Sequence, residues 1–186
     1  MLMLSQRGQE SAPFELLIAM ILMGFVLVVG FNALDKLNFE ICKGNMNQSM
    51  EQIRTAIETV VKNKSKANVG FELPGCFRED ESKLRILTSE EPAYCSAYCG
   101  GGVQSCKVLT FYNPLFSDTK CLRISQVTTF PSDDPPCNPG VFGNPDEYET
   151  VEWENQQEGI SGGQYTLKAE FNLFSGTPEV CVYRRR

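Results

Sequence analysis

The chain has 186 residues, a net charge of −6 and a sequence pI near 4.8, with eight cysteines and no histidine. That balance argues against nucleic acid as a partner, because no basic stripe is there to neutralise phosphates; the only basic run is Arg184, Arg185 and Arg186. Without histidine, most general acid–base and metal-hydrolytic schemes are removed, though not carboxylate pairs; no catalytic residue, cofactor or metal site is expected, and the chain reads as a non-enzyme.

Residues 1–8 are too short and polar to fold. Residues 14–33, FELLIAMILMGFVLVVGFNA, form one apolar run broken by a single charge, Glu15. As a helix this run crosses about 30 Å, the hydrocarbon thickness of a bilayer. Pro13 fits a helix only in its first turn, which places the start at Ser11 or Ala12. A cleaved secretory signal has a shorter apolar core, of roughly 7–15 residues, and a small-residue cleavage site; this run is longer and ends without one. A plain signal anchor fits less well than it first looks, because Glu15 costs about 2.5–3.5 kcal/mol at the centre of a span, though less near an end.

Arg7, Gly8 and Gln9 precede the run, followed by Ser11, Ala12, Pro13, Phe14 and Glu15 and then unbroken hydrophobics. This stretch resembles the N-terminus of archaeal type IV pilins with a class III signal peptide, whose short leader ends in a basic residue and Gly followed by Gln. The resemblance implies that a prepilin peptidase cuts between Gly8 and Gln9 on the cytoplasmic side. It further implies that the pilus assembly machinery moves the retained helix from the membrane into a helical homo-oligomer. Phe14, Leu16 and Leu17 would then pack in the filament core beside Glu15, whose carboxylate would meet the new α-amino group of a neighbouring subunit. An opposite charge nearby offsets a burial that would otherwise neutralise the acid. The family's acidic residue is usually the fifth of the mature chain. Counted from Gln9, Glu15 is the seventh; a cut before Ser11 would restore the fifth place, but the basic-Gly-Gln string favours the Gly8–Gln9 bond. The plain alternative is that Glu15 marks where the helix meets lipid headgroups.

Apolar residues then recur at steps of three and four: Phe39, Cys42, Met46, Met50, Ile53, Ile57 and Val60. The helical segment is expected within residues 9–66, with 14–33 apolar all round and 34–66 amphipathic, as a rod of roughly 50 residues and about 75 Å. Gly44 is a place for it to bend. The amphipathic half is expected to pack on its own head domain rather than form a coiled coil, since regular e/g charge pairing is missing. Asn47 and Asn63 begin N-x-S sequences, glycan acceptors if the domain is extracellular and chance matches otherwise.

From residue 67 to 186 the period changes to two. Residues 69–73, 84–88, 108–112, 122–130 and 148–153 read as strands, with 113–120 as a polar linker and the Pro/Gly-rich 131–146 as a loop. Residues 164–174 alternate cleanly and turn back through Ser175, Gly176, Thr177 and Pro178 into 179–183, a terminal hairpin. The expectation is an α+β fold: a long helix against an antiparallel sheet of about five to seven strands.

Cys42, Cys76, Cys95, Cys99, Cys106, Cys121, Cys137 and Cys181 all follow the apolar run. Downstream of an export segment they read as a disulfide framework outside the cytoplasm, with connectivity left open; Cys42, on the helix stripe, is placed to tie helix to head. Gly159, Ser161 and Gly163 match a hydrolase-like G-x-S-x-G pattern. There is no histidine to take the serine proton, so a Gly-rich turn is the reading. Asp133, Asp134, Asp146 and Glu147 offer oxygens of the kind Ca²⁺ takes, but at no EF-hand spacing, so a solvated loop is expected.

Taken together, the expected function is a structural subunit of a cell-surface filament, assembled through its apolar helix from a membrane-held precursor whose N-terminus is cytoplasmic. The alternative is a membrane-anchored extracellular binding domain that never polymerises, using loops 94–106 or 131–146. A minor, adhesive tip pilin lies between the two.

Overall fold

The computed structural model describes residues 12–131, 137, 147–151, 153, 162–171 and 176–185. The chain divides into two units, Met1–Ile41 and Cys42–Arg186. One helix, α1 (Ala12–Asn63), belongs to both and is unbroken across Gly44.

In the first unit, α1 carries apolar residues on every face and buries none of them. In the second, its stripe is the centre of the core: Met46, Met50, Ile53, Ile57 and Val60 are each fully buried. Arg54 bridges Glu51 at 2.7 Å on the side of the helix, and Glu58 accepts a hydrogen bond from the Arg123 N–H at 2.9 Å. The helix ends at Asn63, three residues short of the expected 66. Lys64 turns into the left-handed region (φ 49°), and the Ser65 N–H closes back on the Val60 carbonyl at 3.2 Å, which satisfies one of the last orphan carbonyls.

The helix packs on antiparallel sheets, so the α+β reading holds, but the described strands form two sheets rather than one. The first has the order β1-β6-β7-β5, from β1 (Lys66–Phe71), β6 (Gly163–Phe171), β7 (Pro178–Arg185) and β5 (Tyr148–Thr150). The second has the order β2-β3-β4, from β2 (Lys83–Ser89), β3 (Cys106–Asn113) and β4 (Phe116–Leu122). The hairpin of β6 and β7 forms as expected, with Leu167 opposite Val182. Main-chain bonds join the sheets. Val151 N–H donates to the Val182 carbonyl on β7, and two residues later the Trp153 carbonyl accepts from Ile86 N–H on β2. Trp153 is fully buried, with its ring edge-on to Tyr165 at 5.7 Å.

Three further expectations are corrected. Residues 113–120 are not a linker: Pro114 and Leu115 form a tight turn, closed by the Asn113 side chain accepting from Leu115 N–H at 3.0 Å, and β4 begins at Phe116. Its polar residues suit an edge strand, where Asp118 and Lys120 pair at 3.1 Å. Residues 122–130 are correspondingly not a strand. A turn closes from Thr128 N–H to the Ser125 carbonyl, and Thr129 makes only an isolated bridge to Glu179.

The third correction is a helix, α2 (Pro92–Cys99), in the segment that the cysteine cluster marked. Pro92 suits the first helical position, and Gly100 (φ 97°) and Gly102 (φ 87°) end the helix in conformations that side chains resist. All eight cysteines pair, in the order Cys42–Cys76, Cys95–Cys106, Cys99–Cys121 and Cys137–Cys181. Cys95 and Cys99 are one turn apart, so their two bridges clamp one face of α2 to β3 and β4. Cys42 does fix the helix to the head, through Cys76 beyond β1.

Candidate functional site

The first unit presents one feature with chemical consequence, its apolar surface. From Phe14 (66 % exposed) to Ile41 (62 % exposed) the large hydrophobic side chains lie open, Leu16 and Leu17 included, except for the half-buried Phe39. The helix is long and apolar enough to cross a membrane, with a mean hydropathy of 2.6 over its best 18-residue window. Glu15 sits in its first turn, where a carboxylate favours the positive end of the helix dipole. Gly8 and Gln9 lie outside the described residues.

The apolar surface outlasts the run that was read from sequence. Beyond residue 33, Leu34, Leu37 and Ile41 remain exposed at 55 %, 59 % and 62 %, on one face between Asp35, Lys36, Asn38 and Glu40. Extended backwards at alternating steps of four and three, that face passes through Gly30, Leu27, Met23, Met20 and Leu16. This is heptad spacing, the seam along which helices pack knobs into holes. The signal was in the sequence, as the same three–four spacing, but masked by apolar residues on all the other faces.

In the second unit, the two loops considered as ligand sites have different standing. Residues 94–106 are occupied by α2 and its glycine turn rather than by an open loop. Tyr94 and Tyr98 pack there with ring centroids 4.8 Å apart and their planes tilted by 54°. Burial, helped by Tyr98, pushes the Tyr94 phenol above its ordinary 10.0, while the hydrogen bond to Thr119 and the Arg85 charge pull the other way. Of loop 131–146, all but Pro131 and Cys137 lie outside the described residues, including Asp133, Asp134 and Asp146; Glu147 is exposed. Gly159 and Ser161 also lie outside, and Gly163 opens β6. Among the described residues no group of three or more potential metal ligands gathers. Asn47 and Asn63 both stand exposed on α1, reachable by a glycan.

Comparison with protein-family models, with curated proteins and with solved structures gives no match for this chain. The site therefore rests on its own chemistry. An exposed apolar helix and a head closed by four disulfides fit a membrane-anchored or secreted protein.

Proposed function

We propose that this chain is the structural subunit of an extracellular, type IV pilus-like filament, made as a single-pass membrane precursor and assembled through α1. Its mechanism is assembly and not catalysis. The observation that carries this reading is the length of the exposed apolar face. From residue 14 to 41 it runs about 42 Å as helix, against about 30 Å of hydrocarbon. Tilt alone would have to exceed 40° to submerge it, beyond the roughly 20° usual for spanning helices. Such tilt would also drag Asp35 and Lys36 into the hydrocarbon, at about 2.5–3.5 kcal/mol each near its centre. Sister copies remove the difficulty, because heptad packing covers one face and leaves the charges on the other.

The anchored, non-polymerising module remains the competing reading, and it makes no use of Leu34, Leu37 or Ile41. Replacing both Leu37 and Ile41 by Asp separates the two. Electron microscopy of sheared surface appendages, with peptide identification, is expected to find filaments of the native chain beginning at Gln9 and none of the double variant, which still inserts in the membrane. Unaltered filaments in the variant, or native protein that stays dispersed in the membrane with Met1 intact, would overturn the proposal.

A further inference from the structure

The four-stranded sheet ends on β1, which pairs with β6 on one side and, among the described residues, with no strand on the other. The pairing decides which main-chain groups face outward. Ala169 N–H donates to the Ser65 carbonyl at 3.1 Å, one step beyond the Lys66–Lys168 pair. Hydrogen-bonded pairs recur at every second residue of an antiparallel ladder, so Ala67, Val69 and Phe71 turn their N–H and C=O toward β6. Asn68 and Gly70 turn theirs away, with Lys66 at the start of the strand and Glu72 one residue past its end. The side chains agree. Asn68 and Thr166 form a non-hydrogen-bonded pair, where side chains stand closer, and the Thr166 hydroxyl donates to the Asn68 amide oxygen at 3.0 Å. The main-chain groups of Asn68 and Gly70 have no partner among the described residues.

Two grooves of ≈ 600 and ≈ 580 Å³ lie along this edge, sharing Gln48, Gln52 and Gly70. The first joins Thr55 and Thr59 of α1 to Ala67–Gly70, and the second joins Asn45 and Ser49 to Gly70–Gly75. Helix numbers fall as strand numbers rise, so β1 runs antiparallel to α1. Natural edges are blunted by central charges, prolines or bulges. Here the charges stand at the two ends, Lys66 and Glu72, and none lies between them.

We propose that this edge is a self-complementary docking site, to which β1 of a second copy adds as an antiparallel strand. Centred on Val69, the pairing sets Asn68 opposite the second copy's Gly70 and Lys66 opposite its Glu72. Asn68 and Gly70 belong to the outward-facing set, so their two pairs across the joint are hydrogen-bonded. A slip of one residue would bring inward-facing groups to the joint, and a slip of two would lose the opposed charges. The charges therefore select the register, and the main chain supplies the bonds.

The two-fold relation that makes the strands antiparallel also reverses the α1 segments beside them. Copies rooted in one membrane, or following one another along one filament, point α1 the same way. The joint therefore forms in trans, between opposed surfaces or antiparallel filaments. It goes beyond the filament reading and does not depend on it.

The test uses the full-length chain in two differently dyed populations of phosphatidylcholine vesicles, mixed and then treated with a zero-length carbodiimide. Light scattering is expected to show mixed clusters, and mass spectrometry a Lys66–Glu72 cross-link. Within one chain these residues are about 20 Å apart along an extended strand, so the link arises only between copies. Glu72→Lys is expected to weaken clustering roughly tenfold, and Lys66→Glu combined with Glu72→Lys to restore it. Asn68→Pro removes an outward N–H without breaking the ladder to β6, and is expected to abolish clustering while the head's thermal unfolding is retained. Vesicles that stay dispersed, clusters without that cross-link, or a charge swap that fails to recover would each overturn the inference. Filament loss through Leu37 and Ile41 leaves clustering intact, so the two proposals fail separately.

Discussion

Ile53 and Leu37 are both large aliphatic residues on α1, and their surroundings make opposite demands. Ile53 is fully buried beneath the sheets, whereas Leu37 is 59 % exposed and touches solvent in the isolated chain. Truncating Ile53 to Ala removes buried methylenes and leaves a cavity, which costs about 2–5 kcal/mol. Near-ultraviolet circular dichroism of the detergent-held chain should show its unfolding midpoint lowered by several degrees, at roughly 2–4 °C per kcal/mol for a domain of this size. Leu37→Ala should leave the midpoint unchanged, because that side chain is exposed in the isolated chain.

At the scale of elements, α2 is the clearest case of a helix held by its clamps. It has eight residues, too few to persist alone in water. Of its side chains only Cys95 is fully buried. Its last residue is tied to β4 through Cys99–Cys121, which closes a separation of 22 residues. Replacing both cysteines by Ser should cost about 3 kcal/mol by loop entropy. Hydrogen exchange should then speed up in α2 and β4 while the β6–β7 hairpin stays protected, because that hairpin is held by its own ladder and by Cys137–Cys181. Equal acceleration in both places would mean that the head unfolds only as a whole.

At the scale of the molecule, four bridges hold a head whose sheets are small, at about 2–4 kcal/mol each. The whole stability of a domain is about 5–15 kcal/mol. Complete reduction should therefore leave the head unfolded at 37 °C, read as loss of near-ultraviolet signal, while the apolar helix keeps its far-ultraviolet signal in detergent. A reduced head that melts where the oxidised one does would show that packing around Met46, Met50, Ile53 and Ile57 suffices unaided.

Local patterns were legible in the chain because they are one-dimensional. The apolar run, the three–four stripe from Cys42 to Val60, the alternation in β6 and the even count of cysteines each follow from periods and tallies that neighbours in sequence already display. Tertiary structure alone decided the rest. β4 is polar because it is an edge strand, so its pattern imitates a linker until β3 is placed beside it. α2 is stable only once its cysteines find β3 and β4, and eight cysteines allow too many pairings to choose among. The open side of β1 is likewise invisible in its residues, because whether a strand's hydrogen bonds are used depends on which segments arrive next to it and which do not.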